Sequence, residues 1–267
     1  MKRLIAFFLS MAMAGASLAQ APQPPELAAK SYLLLDLSSN QTLAERNADA
    51  PSDPASLTKL MSAYVVFTAI REKKLALEQK LSVSKRAWDE RKGGASLMFI
   101  DTTMTPTVDE LLRGEIVASG NDAAVALAEG VAGTVDQFVA IMNRQAQAWG
   151  MKNSVFKNVT GLTEAGHKST ARELALVATR IIRDFPEFYT YYAIKEYKYN
   201  NITQPNRNLL LRRDPSVDGM KTGYTEAAGY CLIASAQRDF PNGKRRLLSV
   251  VTTPPRWQRV PTKARSC

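Results

Sequence analysis

Apolar side chains recur at three- and four-residue intervals after Pro54, which is the periodicity of one face of an α-helix. The residues with this spacing are Leu57, Leu60, Met61, Tyr64, Val65 and Thr68. Proline is favoured at the first helical position, and Ser52 or Asp53 can cap the amides that the first turn leaves open. The pattern predicts a largely buried helix that begins near Pro54 and ends at about Ile70.

Further helix signals occupy the middle of the chain. Thr107 with Glu110, and Thr134 with Gln137, match the capping box that closes a helix N-terminus. Other stretches are Ala-rich or amphipathic, and one of them is basic and broken by a loop at 91–94 that can border a site. The predicted helices cover 75–88, 107–118, 122–131, 134–149 and 169–185.

The two ends of the chain carry the alternating or short apolar runs that are typical of strands. The predicted strands cover 31–37, 41–45, 197–203, 220–223, 229–238 and 245–252. Turn residues separate neighbouring strands at 38–40 and at Asn242 and Gly243. A hairpin, then helices, then strands predict an α/β fold of the α+β type, with one antiparallel sheet built from both chain ends and a helical subdomain inserted between them.

Residues 1–19 have the pattern of an export signal. Lys2 and Arg3 precede an apolar run over 4–14, and small residues at Ser17 and Ala19 provide a cleavage site. An uncleaved anchor is the alternative, but the apolar run is too short to cross a bilayer comfortably. We therefore expect residues 20–252 to form one large domain that works outside the cytoplasm.

Net charge and cysteine content limit the kinds of binding partner and site that the protein can have. The formal charge is +10 at pH 7, which is compatible with nucleic acid, but export favours an anionic cell-envelope surface instead, with ordinary solvated charge as the alternative. The chain has 2 cysteines, so a disulfide framework and a cysteine metal cluster are excluded. Cys231 lies in an apolar strand-like run and is predicted to be a buried free thiol.

The sequence lacks the residues that several common kinds of catalytic site require. The chain has 1 histidine, His167, and contains neither the H-E-x-x-H metal motif nor a phosphate-binding G-x-x-x-x-G-K-[ST] loop. A Ser-His-Asp triad would need His167, but no G-x-S-x-G motif is present, and a satisfied surface or loop histidine is the default. We expect no metal and no cofactor.

A lysine-assisted serine remains. Ser56 and Lys59 stand three residues apart on the first predicted helix, so the amine can reach the hydroxyl. A serine hydroxyl needs an adjacent base, and a lysine serves only if burial or a nearby positive charge lowers its pKa. Lys59 lies on a predicted buried helix, and we expect Lys221 nearby.

Two further motifs follow this pair in order, Ser119-Gly120-Asn121 and Lys221-Thr222-Gly223. The three-part pattern is that of penicillin-binding proteins and serine β-lactamases. From about Lys30 to Val251, the chain resembles the low-molecular-weight penicillin-binding proteins, the serine-type D-alanyl-D-alanine carboxypeptidases. The resemblance implies their transpeptidase fold, and a carboxypeptidase catalytic domain over 20–252.

The resemblance also implies a role for each motif residue near the nucleophile. Ser56 becomes the acyl-enzyme serine, and Lys59 becomes its proton acceptor. The hydroxyl of Ser119 can relay a proton toward the leaving amine, while the amide of Asn121 can hold the substrate backbone. The alternative for Ser119 and Asn121 is that they merely cap the next helix.

The last motif implies a binding strand for substrate. Lys221 and Thr222 present a cation and a hydroxyl to a terminal carboxylate. Gly223 allows substrate to lie close along the strand. By resemblance, the backbone N–H groups of Ser56 and Tyr224 form an oxyanion hole.

The implied activity is removal of the terminal D-alanine from peptidoglycan stem peptides that end in D-Ala-D-Ala, with acylation by β-lactam antibiotics, in the periplasm or cell envelope. Alternatives are a serine β-lactamase, an endopeptidase and a non-catalytic binder of cell-wall peptide. Glu196 and Asn200 match the E-x-x-x-N spacing of class A β-lactamases, but they stand too late in the chain, so we interpret the match as chance.

Residues 253–267 depart from the family pattern. They are rich in Arg and Pro, and Pro254 with Pro255 does not fit a helix start. The family continues here into a helix, commonly followed by a small β-rich domain and a membrane anchor. We expect an atypical tail from a truncated or frame-shifted end, which leaves peripheral association with the membrane or cell wall open.

Overall fold

The computed structural model describes residues 26–241 and 243–254. The predicted export signal lies outside the described residues, as do Asn242 and residues 255–267 of the predicted tail. The strands are β1 Ser31–Asp36, β2 Gln41–Arg46, β3 Glu196–Tyr199, β4 Ile202–Pro205, β5 Val217–Thr225, β6 Gly229–Phe240 and β7 Gly243–Thr252. The helices are α1 Lys59–Arg71, α2 Lys85–Asp89, α3 Val108–Val117, α4 Asn121–Ala132, α5 Val135–Ala148, α6 Ala171–Asp184, α7 Pro186–Tyr189 and α8 Leu210–Arg213.

One antiparallel sheet joins the two ends of the described chain, as the strand pattern predicts. Its order is β2-β1-β7-β6-β5. The strand β7 pairs with β1 on one side, with Ser31 opposite Thr252, and with β6 on the other. Among the described residues β5 has a strand neighbour on one side only, so its other edge is available to the helical part of the molecule.

The helix α1 is the centre of the core. It contacts α3, α4, α5 and α6, and ten of its side chains are buried. Its largest buried side chains include Phe67, which stacks on Phe188 with ring centroids 4.7 Å apart. A helix enclosed on all sides is rigid, since every rotation of its side chains meets packed atoms. Residues at its N-terminus are therefore held in fixed positions.

The predicted caps of the neighbouring helices are present. Thr107 and Glu110 make both hydrogen bonds of the capping box at the start of α3. The Thr134 side chain accepts a hydrogen bond from the Gln137 amide at the start of α5. These caps fix where α3 and α5 begin, because they satisfy amides that a first turn leaves open.

The predicted helix over 75–88 is wrong except for its last turn, where Ser84 caps α2. The chain before it instead runs alongside the segment that leads into α3. Leu81 N donates to Pro106 O, and Val108 N donates to Gln79 O, both at 2.9 Å. These long-range bonds replace the helical ones, so tertiary pairing overrides the amphipathic pattern.

The predicted single strand over 197–203 is also wrong, since the structure divides it into β3 and β4. The two strands form their own two-stranded sheet. Between them, Asn200 and Asn201 have φ angles of +44° and +63°. Asparagine tolerates this left-handed conformation better than most residues, so the chain reverses there.

The described helices were also compared with the length of a membrane span. No single helix among them is long and apolar enough to cross a bilayer, and α4 with α5 passes by length and composition only as a pair bent by 84°.

Candidate active site

Ser56 lies in a 3-10 turn, Ala55–Thr58, that leads directly into α1. The predicted cap from Ser52 or Asp53 is wrong, since no side chain in the described part of the chain caps this turn. The Ser52 backbone is used elsewhere, in a two-way pairing with Ser169. Ala55 has a φ of +47°, which is unusual for a residue with a Cβ, and this bend turns Ser56 toward a cavity.

The Lys59 ammonium is surrounded by three acceptors. It lies 3.2 Å from Ser56 Oγ, 2.7 Å from Asn121 Oδ1 and 2.7 Å from the Thr160 carbonyl oxygen. Lys59 is only 2% exposed. The expected reach across one helical turn is therefore present, and the other two contacts fix the amine beside the hydroxyl.

Ser119 sits at the sharp turn between α3 and α4, with a φ of +58°. Its Oγ accepts a hydrogen bond from Lys221 Nζ at 2.8 Å. The Gly120 backbone occupies the cap position of α4, and no described side chain caps that helix. The alternative that Ser119 and Asn121 act as helix caps is therefore wrong.

Asn121 is the first residue of α4, and its side chain is buried between charged groups. Its Oδ1 accepts from Lys59, and its Nδ2 donates to Glu90 Oε2 at 3.3 Å. The amide therefore orients the Lys59 amine in this state. Glu90 was not identified from the sequence, although the loop after it does border the cavity through Gly93 and Gly94.

The Lys221-Thr222-Gly223 motif lies on the open edge of the sheet, in β5. A Cβ at Gly223 would lie 3.0 Å from Ser56 N and 3.1 Å from the Ala55 Cβ. A glycine is thus needed for the strand to pack against the turn that carries the serine. The next residue, Tyr224, is 37% exposed and borders the cavity.

The structure brings the predicted site residues together around one cavity of about 970 Å³. Its wall includes Ser56, Ser119, Asn121, Thr222, Gly223 and Tyr224. Lys59 and Lys221 are buried behind this wall, 2% and 3% exposed. Glu196 and Asn200 are absent from the described lining, which agrees with a chance match to the β-lactamase spacing.

The loop over 158–166 makes contacts with the site that the sequence motifs do not predict. The Asn158 side chain accepts hydrogen bonds from the amides of Thr160 and Gly161. Gly161 has a φ of +87°, and a Cβ there would lie 1.8 Å from the Ala55 carbonyl oxygen. The loop therefore packs backbone to backbone on the serine turn and presents the Thr160 carbonyl to Lys59.

Burial and like charges act together on the two lysines. Burial lowers the pKa of Lys59, and the Arg207 charge adds to that effect, whereas Glu115 and Glu90 oppose it. The pKa of Lys221 is well below its ordinary value because of burial, and then because of the charges of Lys59 and Arg207. A buried lysine with a lowered pKa can exist as a neutral amine, which is the form that accepts a proton.

His167 is buried rather than on the surface, at 3% exposure. Its Nδ1 accepts from the Lys157 amide at 3.0 Å, and its Nε2 lies 2.9 Å from Thr58 Oγ1. Both ring nitrogens are thus satisfied, as expected of a structural histidine. Burial lowers the pKa of His167 to about 4.

These features define a class of protein. A serine beside a buried lysine, a Ser-Gly-Asn turn joined to a second buried lysine, and a Lys-Thr-Gly strand at the open sheet edge together form the kind of site found in proteins of the penicillin-binding, transpeptidase fold.

Comparison with known proteins identifies the family. The sequence model of the D-alanyl-D-alanine carboxypeptidases, peptidase family S11, matches residues 18–254, so the chain belongs to this family. D-alanyl-D-alanine carboxypeptidase DacC of Escherichia coli strain K12 is 42% identical over 250 residues, which cover 92% of this chain and 62% of that protein. The chain thus spans about three fifths of the length of such curated relatives.

Solved structures agree with this placement. Penicillin binding protein 5 from Haemophilus influenzae superimposes with a TM-score of 0.83 at 43% identity, covering 87% of this chain and 67% of that one. Penicillin-binding protein D2 from Listeria monocytogenes, in its ampicillin-bound form, has a TM-score of 0.75 at 30% identity, covering 87% of this chain and 93% of that one. The expected transpeptidase fold is confirmed.

Proposed function

We propose that this protein is a serine D-Ala-D-Ala carboxypeptidase that removes the terminal D-alanine from peptidoglycan stem pentapeptides, and that β-lactams acylate the same serine. The observation that carries the proposal is the contact between Lys59 Nζ and Ser56 Oγ, 3.2 Å apart inside a site that also holds Lys221. The family membership supports the substrate class.

Acylation begins at this contact. The neutral amine of Lys59 takes the proton of Ser56 Oγ while the oxygen attacks the carbonyl carbon of the penultimate D-alanine. The backbone N–H groups of Ser56 and Tyr224 stabilise the developing oxyanion, and such donors contribute on the order of 10²–10³ in rate. The lowered pKa of Lys59 supports this step, because its neutral form is accessible.

The leaving D-alanine needs a proton on its amine and a partner for its carboxylate. The Ser119 hydroxyl, 2.8 Å from Lys221 Nζ, is placed to give its proton to that amine and to take back the proton that Lys59 removed from Ser56, so that Lys59 is neutral again. Lys221 and Thr222 hold the carboxylate, while Asn121 and the edge of β5 at Gly223 hold the peptide backbone. Water then hydrolyses the ester, with Lys59 as base, and Ser56 is regenerated.

We further propose that the protein works in the periplasm or cell envelope. The signal-like residues 1–19 support export, and the basic charge of +10 favours an anionic envelope surface. Its partners are then stem peptides ending in D-Ala-D-Ala, without nucleic acid, and residues 20–252 form the catalytic domain.

A fluorescent penicillin tests the nucleophile. The wild-type protein should be labelled stably, and Ser56→Ala should not be labelled. The matched control is Ser62→Ala on the same helix, whose hydroxyl bonds the Val159 carbonyl at 2.8 Å and should leave labelling intact. Folded wild-type protein that takes no label would refute the acyl-enzyme.

Release of D-alanine tests the substrate. The protein should free D-alanine from a peptide ending in D-Ala-D-Ala, and this release should stop in Ser56→Ala. Rapid destruction of penicillin would indicate a β-lactamase, cleavage of cross-linked dimers alone would indicate an endopeptidase, and peptide binding without turnover would indicate a binder. Each of these results would overturn the proposed activity.

A further inference from the structure

The side-chain amide of Asn121 is fixed in its place but not, by packing alone, in its orientation. The Asn121 backbone N–H donates to the Ser96 carbonyl oxygen at 2.7 Å, and the residue is 3% exposed. The oxygen and the nitrogen of a primary amide have nearly the same size, so a half turn about the last side-chain bond exchanges them without a clash. Hydrogen bonds must therefore decide which way the amide faces.

Two charged groups select the orientation that the structure shows. Lys59 Nζ donates to Asn121 Oδ1 at 2.7 Å on one side, and Asn121 Nδ2 donates to Glu90 Oε2 at 3.3 Å on the other. An ammonium group only donates hydrogen bonds, so it holds the amide oxygen on its own side. An ionised carboxylate only accepts them, so it holds the nitrogen on the other side.

The Glu90 carboxylate is committed to this contact. Glu90 is the C-cap residue of α2, and α2 packs against α4, which begins at Asn121. In the described part of the chain, Asn121 is the one hydrogen-bond donor to this carboxylate. Burial raises the pKa of Glu90, and the hydrogen bond from Asn121 opposes that rise. The neighbouring Asp89 is instead paired with Lys85 and Lys92.

The orientation of the amide becomes important once Lys59 is neutral. A neutral amine has two N–H bonds and one lone pair, and three oxygens surround it: Asn121 Oδ1 and the Thr160 carbonyl oxygen, both at 2.7 Å, and Ser56 Oγ at 3.2 Å. The amide and carbonyl oxygens can only accept, so they take the two N–H bonds. The lone pair is then left for the hydroxyl of Ser56, which can donate. With the amide reversed, its nitrogen would donate to the lone pair, and the amine could not accept the serine proton.

We propose that Glu90 is a positioning residue that directs the lone pair of neutral Lys59 toward Ser56 by holding the Asn121 amide in one orientation. A neutral amine can both donate and accept, so Lys59 stops selecting the orientation when it loses its proton. Glu90 remains an acceptor, so the base is aligned before substrate binds. The second N–H of Asn121 Nδ2 is left for the substrate backbone. This inference rests on the proposed function for its purpose.

The orientation of the amide can be measured without turnover. In isotopically labelled protein, the side-chain N–H signals of Asn121 are assigned by their loss in Asn121→Asp. At a pH where Lys59 is neutral, the nuclear Overhauser contacts of these protons should be strong to the Glu90 Cγ protons and weak to the Lys59 Cε protons. In Glu90→Met, the contacts to Lys59 should become strong. Contacts to Lys59 that do not change in this variant would overturn the proposal.

The rate of penicillin labelling measures the consequence for the base. The rate is compared above the pH at which it stops rising, where Lys59 is neutral in every form and a shift of its pKa has no effect. Glu90→Met removes the acceptor at similar size and should label about tenfold more slowly, the effect of one hydrogen bond. Glu90→Gln keeps an oxygen that can accept from Asn121, so its rate should stay near that of the wild type. The matched control is Asp89→Asn, which removes a carboxylate from the same turn and should not slow labelling.

The variants separate a positioning role from a merely structural one. A structural role would lower the thermal stability or the amount of protein that takes label, and would leave the rate of the folded fraction unchanged. An unchanged rate in Glu90→Met, or an equally slow Glu90→Gln, would therefore overturn the inference. Absence of labelling in all forms would instead refute the proposed function, while the Overhauser contacts of Asn121 would still decide this one.

Discussion

His167 links acid pH to the stability of the serine turn. Its Nδ1 accepts the Lys157 amide hydrogen, so in the neutral ring the proton is on Nε2, which can donate to Thr58 Oγ1. Thr58 stands between the catalytic serine and lysine of the proposed mechanism. Protonation of Nδ1 would bring two N–H groups face to face and break the bond to Lys157.

The size of this effect on the free energy of unfolding follows from the pKa values of His167 in the unfolded and folded chain. The ordinary histidine pKa of 6.5 applies to the unfolded chain, and burial lowers it to about 4 in the fold. Between these values the unfolded chain binds more protons, so stability falls as pH decreases. The stability that the neutral His167 ring contributes is fully present above pH 6.5. The difference between the two pKa values corresponds to at most about 3 kcal/mol, and this stability is lost by about pH 4.

Urea unfolding at several pH values between 7 and 4 measures this loss. The comparison is with His167→Asn, whose side-chain oxygen can still accept the Lys157 amide hydrogen but cannot titrate. The variant should be less stable at pH 7 by about 1–2 kcal/mol, because the bond to Thr58 is lost. Its stability should then fall less steeply, so the two curves should cross between about pH 5 and 6, and the variant should be the more stable protein near pH 4. Parallel curves would refute the reasoning, since the carboxylates contribute equally to both.

Three further changes have defined outcomes. Gly161→Ala should slow penicillin labelling, because the new Cβ collides with the Ala55 carbonyl oxygen. Gly94→Ala is the control, because Gly94 also has a positive φ but a Cβ there would meet no described atom within 4 Å, and it should not slow labelling. Equal rates in the two variants would argue against the packing of the loop over 158–166 on the serine turn. Asp122→Asn should cost about 2–4 kcal/mol in denaturant unfolding, because the charged acceptor of three backbone amides is lost, and a change under 1 kcal/mol would contradict this. Ser119→Ala should reduce D-alanine release by about 10²–10⁴, the range of general acid–base catalysis, and an unchanged rate would remove it from the proton path.

Local patterns predicted the parts of this molecule that depend on nearby residues. The contact of Lys59 with Ser56 follows from helix geometry alone, and the start of α3 follows from the Thr107 capping box. The central sheet also followed from strand patterns, because alternation reports which side chains face a core. The roles of the motif residues came from resemblance, and they stay proposals.

The missed features depend on residues that are distant in sequence. The Thr160 carbonyl contacts Lys59 through a backbone atom that any residue would carry, so no side-chain pattern marks it. Glu115 lies on the buried face of α3, as the helical period indicates. The lysines whose charges act on it, Lys59 and Lys221, belong to α1 and β5, which are distant in sequence. The false helix over 75–88 failed for the same reason, since Leu81 and Gln79 bond to a distant segment.

The sheet order has a consequence for the timing of folding. The strand β7 lies between β1 and β6, so the β5–β6 hairpin reaches the N-terminal hairpin only through the strand that is synthesised after it. Closing a loop that joins Ser31 to Thr252 must wait for nearly the whole described chain, and such non-local pairing is slow. A nascent chain therefore carries Ser56 long before Lys221 can dock beside it. In the proposed mechanism, the nucleophile is therefore synthesised early, and its site is completed only when the last strands have paired.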